Sequence, residues 1–120
     1  FGLERWNPED HTYLVEGPID SLFLPNCLAM GGGDLSSSDF LDKSKTTLVF
    51  DNEPRNNEIG FRMLSLLRRG WSVCVWPHTK GKDINEMILK EQSIDKILNN
   101  INMNTYSGQR GEWEVRMWKV

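Results

Sequence analysis

At 120 residues with 38% hydrophobic content the chain fits one domain, able to bury roughly two-thirds of the surface its unfolded form exposes. A net charge of -3 and an isoelectric point near 5.4 exclude nucleic-acid binding through bulk positive charge, which needs clustered Lys and Arg; any such contact has to be local or metal-mediated. Cys27 and Cys74 stand far apart in apolar surroundings with no CxxC or Cys/His pattern, which argues against a disulfide framework or zinc site and for buried, reduced thiols in a cytoplasmic protein.

Phe1 to Asp10 reads as a lead-in segment that packs Trp6, with Asn7-Pro8 marking a turn. Thr12 to Val15 is β-branched and aromatic enough for a short buried strand, and Gly17-Pro18 then opens a helix that ends before Pro25. Its Ile19, Leu22 and Phe23 fall at i, i+3 and i+4, which predicts that this face packs on a sheet. Cys27 to Met30 is the second strand, closed by Gly31-Gly32-Gly33, a plain turn in the absence of a P-loop pattern. Between Asp34 and Lys45, Ser36 to Ser38 can cap a short helix carrying Phe40 and Leu41. Thr46 to Phe50 is a strand ending at Asp51. After Pro54 a helix from about Asn57 to Arg69 repeats Ile59, Met63, Leu66 and Leu67 at i, i+4, i+7 and i+8, and Gly70 ends it.

Trp71 to Trp76 is the fourth strand, followed by the polar loop Pro77 to Lys82. Asp83 and Glu86 have capping-box spacing at the start of a helix carrying Ile84, Met87 and Ile88. Ser93 caps another, with Ile94, Ile97, Leu98 and Ile101 as its buried stripe; Asn99 to Asn104 reads as loop, and Glu112 to Val120 alternates as a closing strand. Trp71, Trp76, Trp113 and Trp118, all in predicted strands, read as core and edge packing, while His11 and His78 lack ligand-spaced partners and read as surface residues. No apolar run approaches the roughly 20 residues that span a bilayer, and no signal-sequence pattern is present. Beginning at Phe1 without an initiator Met, the chain reads as a piece of a longer protein or a processed chain.

Strands alternating with helices imply βαβ units and a parallel sheet covered on both faces, with ligands bound beyond the carboxyl ends of the strands. Glu16, Asp51, Glu53 and the loop to Asp83 all fall at that edge. Carboxylates brought together repel unless a cation offsets them, and oxygen donors without His or Cys favour Mg2+ or Mn2+. Asp83 is equally readable as a simple N-cap, and both roles are compatible.

These residues resemble a known family. YLVEGPIDSL (Tyr13 to Leu22) is similar to the hhhEGxxD motif of the Toprim domain, LVFDNEPRN stands where that family has its DxD motif, and GKDINEMI looks like the KDxNE segment of bacteriophage DnaG-type primases. The second motif departs from the pattern, Glu53 standing where the family has Asp. The resemblance implies a single Rossmann-like Toprim domain over residues 1–120, a fragment of a longer protein, with about four parallel strands flanked by helices and a possible extra C-terminal strand. It implies a metal-dependent nucleotidyl-transfer domain of a DNA primase that makes RNA primers on single-stranded DNA from nucleoside triphosphates. Glu16, Asp51, Glu53 and Asp83 would be metal ligands. Glu16 is a ligand or a general acid/base and Asp20 is the acid that orients it or a neighbouring backbone group, while Lys80, Lys82 and Arg55 meet phosphates. The implied partners are a zinc-binding or template-binding module or a replicative helicase, with no membrane, in the cytoplasm (of the host, if phage-encoded). The alternative within the family is a phosphodiester-cleaving domain of a nuclease or topoisomerase. A phospho-receiver domain should carry paired acids after its first strand, and Glu16-Gly17 does not; a non-catalytic binding module would tolerate loss of the acids.

Overall fold

A computed structural model describes residues 2–29, 41–77, 81–90 and 92–119. The β-branched and aromatic segments form strands β1 (Thr12–Val15), β2 (Cys27–Ala29), β3 (Thr46–Val49) and β4 (Ser72–Cys74). They make one parallel array, extended at one edge by the antiparallel two-residue strand β5 (Thr105–Tyr106). The order is β2-β1-β3-β4-β5. Helices α1 (Pro18–Ser21), α2 (Asn57–Arg68), α3 (Ile84–Leu89), α4 (Ile94–Met103) and α5 (Gly108–Trp118) complete a mixed α/β, Rossmann-like domain.

Alternation along the strands divides the core in two. Leu14, Leu28, Leu48 and Val73 lie in register across the sheet and pack against Ile59, Met63, Leu66 and Leu67 of α2 and Val115 of α5. Tyr13, Val15, Cys27, Ala29, Val49 and Cys74 point the other way, onto Ile84 and Met87 of α3 and Ile97 and Ile101 of α4. Both cysteines are free and buried, and burial pushes the Cys27 thiol up to about 12, as unreactive core thiols behave. Gly70 follows α2 at φ 93°, the left-handed position where a helix stop favours glycine. Among the described residues no helix is long and apolar enough to cross a membrane.

Several expectations need correction. Residues 112–120 are not a strand: Gly108–Trp118 is helical, and only Gly111 and Val115, one turn apart, are buried. Glu112 and Glu114 ion-pair with Arg116 and Arg110 at i,i+4 spacing, and the alternating apolar residues fall on different sides of the helix, Val115 buried and Trp113 and Met117 exposed. Trp113 is accordingly exposed and Trp118 half-buried, both on α5. The closing strand lies earlier, at Thr105–Tyr106, and α4 runs through most of the Asn-rich stretch read as loop. Helix α1 is one turn long; Ile19 and Leu22 are 58% and 59% exposed, and the side chains turned inward are Asp20 and Ser21. Ile94, at the first position of α4, is also exposed. A 3-10 turn at Lys43–Lys45 stands at the end of the Asp34 to Lys45 segment. Gly31 to Gly33, Ser36 to Ser38, Phe40, His78 and Lys80 lie outside the described residues.

Candidate metal centre

The chain runs from β1 out to the edge strand β2 and returns to β3 on the other side of β1. The β1/β3 boundary is therefore the topological switch point, where crossovers diverge and leave a crevice at the carboxyl ends of the strands. Val15 pairs with Val49 at the end of this ladder; Glu16 follows the first directly, and Asp51 follows the second after Phe50.

Three carboxylates meet in this crevice. Asp20, Asp51 and Asp83 each present an oxygen within 4.8 Å of the other two. Asp20 is buried, and its Oδ1 accepts a hydrogen bond from the Asn85 backbone N–H at 2.9 Å, which docks α1 against the start of α3. Asp83 is the N-cap of α3, its Oδ1 accepting from the Glu86 N–H at 2.8 Å. Asp83 thus combines a cap with a place in the triad. Asp51 carries the electrostatic cost: burial first, then the charges of Glu16, Asp20, Asp83 and Glu53, push its carboxyl up to about 7. Burial, reinforced by Asp83, also raises Asp20, partly opposed by the Asn85 N–H.

The other sequence-derived candidates surround this triad. Glu16 accepts a hydrogen bond and ion pair from Arg62 Nη1 at 3.1 Å, and the Arg62 guanidinium sits 4.9 Å from the centre of the Phe50 ring. Burial raises the Glu16 carboxyl; Arg62 opposes that rise, while Glu53 and Asp20 add to it. Glu53 is half-buried beside the triad without being one of the three, and its Oε2 accepts from Asn56 Nδ2 at 3.3 Å. Arg55 and Lys82 are exposed near the same edge.

Asp20, expected to orient Glu16 or a neighbouring backbone group, accepts from the Asn85 backbone N–H, adds its charge to the surroundings of Glu16, and also faces Asp51 and Asp83. Arg62 and Asn52 were not singled out from the sequence. Arg62 carried a faint signal, a charge three residues after Ile59 and one before Met63, at the margin of an apolar stripe. Asn52 carried none beyond its place between two acids.

The donor set fits a hard divalent cation. It is all oxygen, with no His or Cys among the three, the donor chemistry that Mg2+ and Mn2+ prefer. The repulsion that lifts Asp51 is what such a charge would relieve.

A scan of the chain against models of known protein families finds no match. Against curated proteins, it is 40% identical over 108 residues to the DNA primase of Enterobacteria phage T4. The match covers 84% of this chain and 31% of the phage protein, so the chain spans less than a third of its relative's length. Over most of its own length, then, this α/β domain is related to a phage DNA primase.

Proposed function

We propose that the chain is a Toprim domain of a DNA primase, a metal-dependent nucleotidyl-transfer domain that builds RNA primers from nucleoside triphosphates on single-stranded DNA. The observation that carries this reading is the convergence of Asp20, Asp51 and Asp83 at the switch point of a chain related to a phage primase. Asp20, Asp51 and Asp83 hold Mg2+ or Mn2+, with Glu16 and Glu53 beside them. The cation, when bound, lowers the pKa of an attacking 3′-hydroxyl and stabilises charge on the phosphate oxygens.

The residues of the chain do the rest. Arg62 engages Glu16 through Oε1, orienting the carboxylate so that Oε2 remains to take a proton from a nucleophile. A Glu with a raised pKa suits that task better than an ordinary surface carboxylate. Arg55 and Lys82, exposed at the rim, and Lys80 bring positive charge to triphosphate oxygens. The domain works within a longer protein, with a template-binding or zinc-binding module or a replicative helicase as its partner.

Primer synthesis, followed with labelled nucleoside triphosphates on single-stranded DNA, should require Mg2+ or Mn2+ and be abolished by Glu16→Gln and by Asp51→Asn. Metal-dependent cleavage of DNA without nucleotide incorporation would replace this reading with that of a nuclease.

A further inference from the structure

Asp51 and Asp83 belong to different elements, the end of β3 and the start of α3, and their mutual repulsion would drive those elements apart. The connection between them is Asn52. Its side-chain Nδ2 donates to the Gly81 carbonyl at 3.2 Å, and its backbone N–H donates to the Lys82 carbonyl. Both acceptors lie within two residues of Asp83, and Asn52 directly follows Asp51. On its far side the same loop is pressed against α3: Gly81 has φ 103°, and a Cβ there would stand 2.8 Å from Met87 Cγ and 3.1 Å from the Met87 backbone nitrogen. Asn52 also contacts the other end of the chain. Its Oδ1 accepts from the indole Nε1–H of Trp118 at 3.0 Å, at the last position of α5.

We propose that Asn52 is a positioning residue for the acidic triad, setting the separation of Asp51 and Asp83, and that through Trp118 the seating of the last turn of α5 is part of that geometry. An amide suits the task because it donates to Gly81 and accepts from Trp118 at once, and because it adds no charge beside three carboxylates. The inference rests on the reading of the triad as a cation site. Outer partners of this kind act by holding ligands in place before the ion arrives.

Calorimetric titration with Mg2+ and Mn2+, alongside thermal melts in EDTA, tests it on wild type, Asn52→Ala, Trp118→Phe and Asp51→Asn. Asn52→Ala should weaken Mg2+ binding by at least about tenfold. Trp118→Phe, which keeps an aromatic side chain but loses the N–H donor and part of the indole volume, should weaken it by a smaller factor, with a modest fall in metal-free melting. A folded Asn52→Ala protein that binds Mg2+ within about twofold of wild type, with only its melting temperature lowered, would overturn the proposal. Should Asn52→Ala fail to fold, Trp118→Phe decides, since Trp118 acts on the triad through Asn52 Oδ1, and unchanged affinity there overturns the proposal. Wild type that binds no metal removes the cation site and this inference together. Loss of binding in Asp51→Asn with none in the other two variants removes the inference alone.

Discussion

The domain treats its carboxylates in two opposite ways. On the α2–α5 surface they are neutralised by the chain itself: Glu112 meets Arg68 at 2.9 Å and Arg116 at 3.9 Å, and Glu114 meets Arg110 at 3.0 Å. In the switch-point crevice Asp20, Asp51 and Asp83 face one another, and the nearby Arg62 pairs with Glu16. The first arrangement is self-contained and contributes little to stability, as exposed ion pairs do. The second stores repulsion in half-buried groups, which makes it responsive to anything that adds positive charge or protons.

The largest expected effect is on metal affinity. Asp51→Asn removes the acid that feels every other charge in the crevice and should weaken Mg2+ by more than about a hundredfold, beyond what loss of an outer partner does. Calorimetry or metal-dependent chemical shifts would show it, and unchanged binding in Asp51→Asn and Glu16→Gln would rule out a cation site. Glu112→Gln, on the other surface, should leave Mg2+ binding untouched.

Protons probe the same contrast without metal. Asp51 titrates near 7 in the fold, above its ordinary 3.8, so the folded state holds its proton more tightly than the unfolded state does. Stability linked to this group is therefore fully present below the ordinary value and lost as pH rises through about 7. Burial raises Glu16 and Asp20 as well, and they act in the same direction. Melts in EDTA between pH 4 and 8 should show a falling midpoint that Asp51→Asn flattens. A slope unchanged in that variant would mean that the crevice does not hold its acids in mutual repulsion.

Asp83 allows its two roles to be separated. Asparagine caps a helix about as well as aspartate, whereas alanine costs about 1 kcal/mol. Asp83→Asn should thus hold or raise the metal-free melting temperature, since the cap stays and one repelling charge goes, while losing Mg2+ affinity; Asp83→Ala should lose the cap and the affinity together. Equal metal binding in Asp83→Asn and wild type would reduce Asp83 to a cap.

What was legible in the sequence follows from how local each cause is. The four parallel strands, the α2 stripe of Ile59, Met63, Leu66 and Leu67, and the caps at Asp83 and Ser93 depend on residues within a few positions of one another. Glu-Trp-Glu-Val-Arg-Met-Trp alternates with a period of two, yet it forms helix α5, where of its apolar residues only Val115 and the half-buried Trp118, three residues apart, turn inward; packing on α2, not the local pattern, decides. The backbone partner of Asp20 and its place among the acids lie beyond a local pattern for a related reason. Four residues from Glu16, it looks like a helical neighbour, but α1 lasts a single turn and directs Asp20 to Asn85, 65 residues away. Arg62 and Asn52 act on partners 46 and 66 residues distant, beyond any local pattern.

The smallest expected effect belongs to the self-neutralised surface. Glu112 is an anchor there in geometry, lying between Arg68 of α2 and Arg116 one turn along α5. Both arginine side chains are largely exposed, so solvent screens the attraction and ordering two long side chains opposes it. Packing of Gly111 on Leu67, where an added Cβ would stand 2.5 Å from Leu67 Cδ2, holds the two helices more firmly than the ion pairs do. Glu112→Gln should therefore cost less than about 1 kcal/mol in denaturant melts, and the difference from wild type should vanish in 1 M salt, where the screening length is about 3 Å. A larger, salt-independent loss would place this ion pair among the contacts that hold α5 on the sheet.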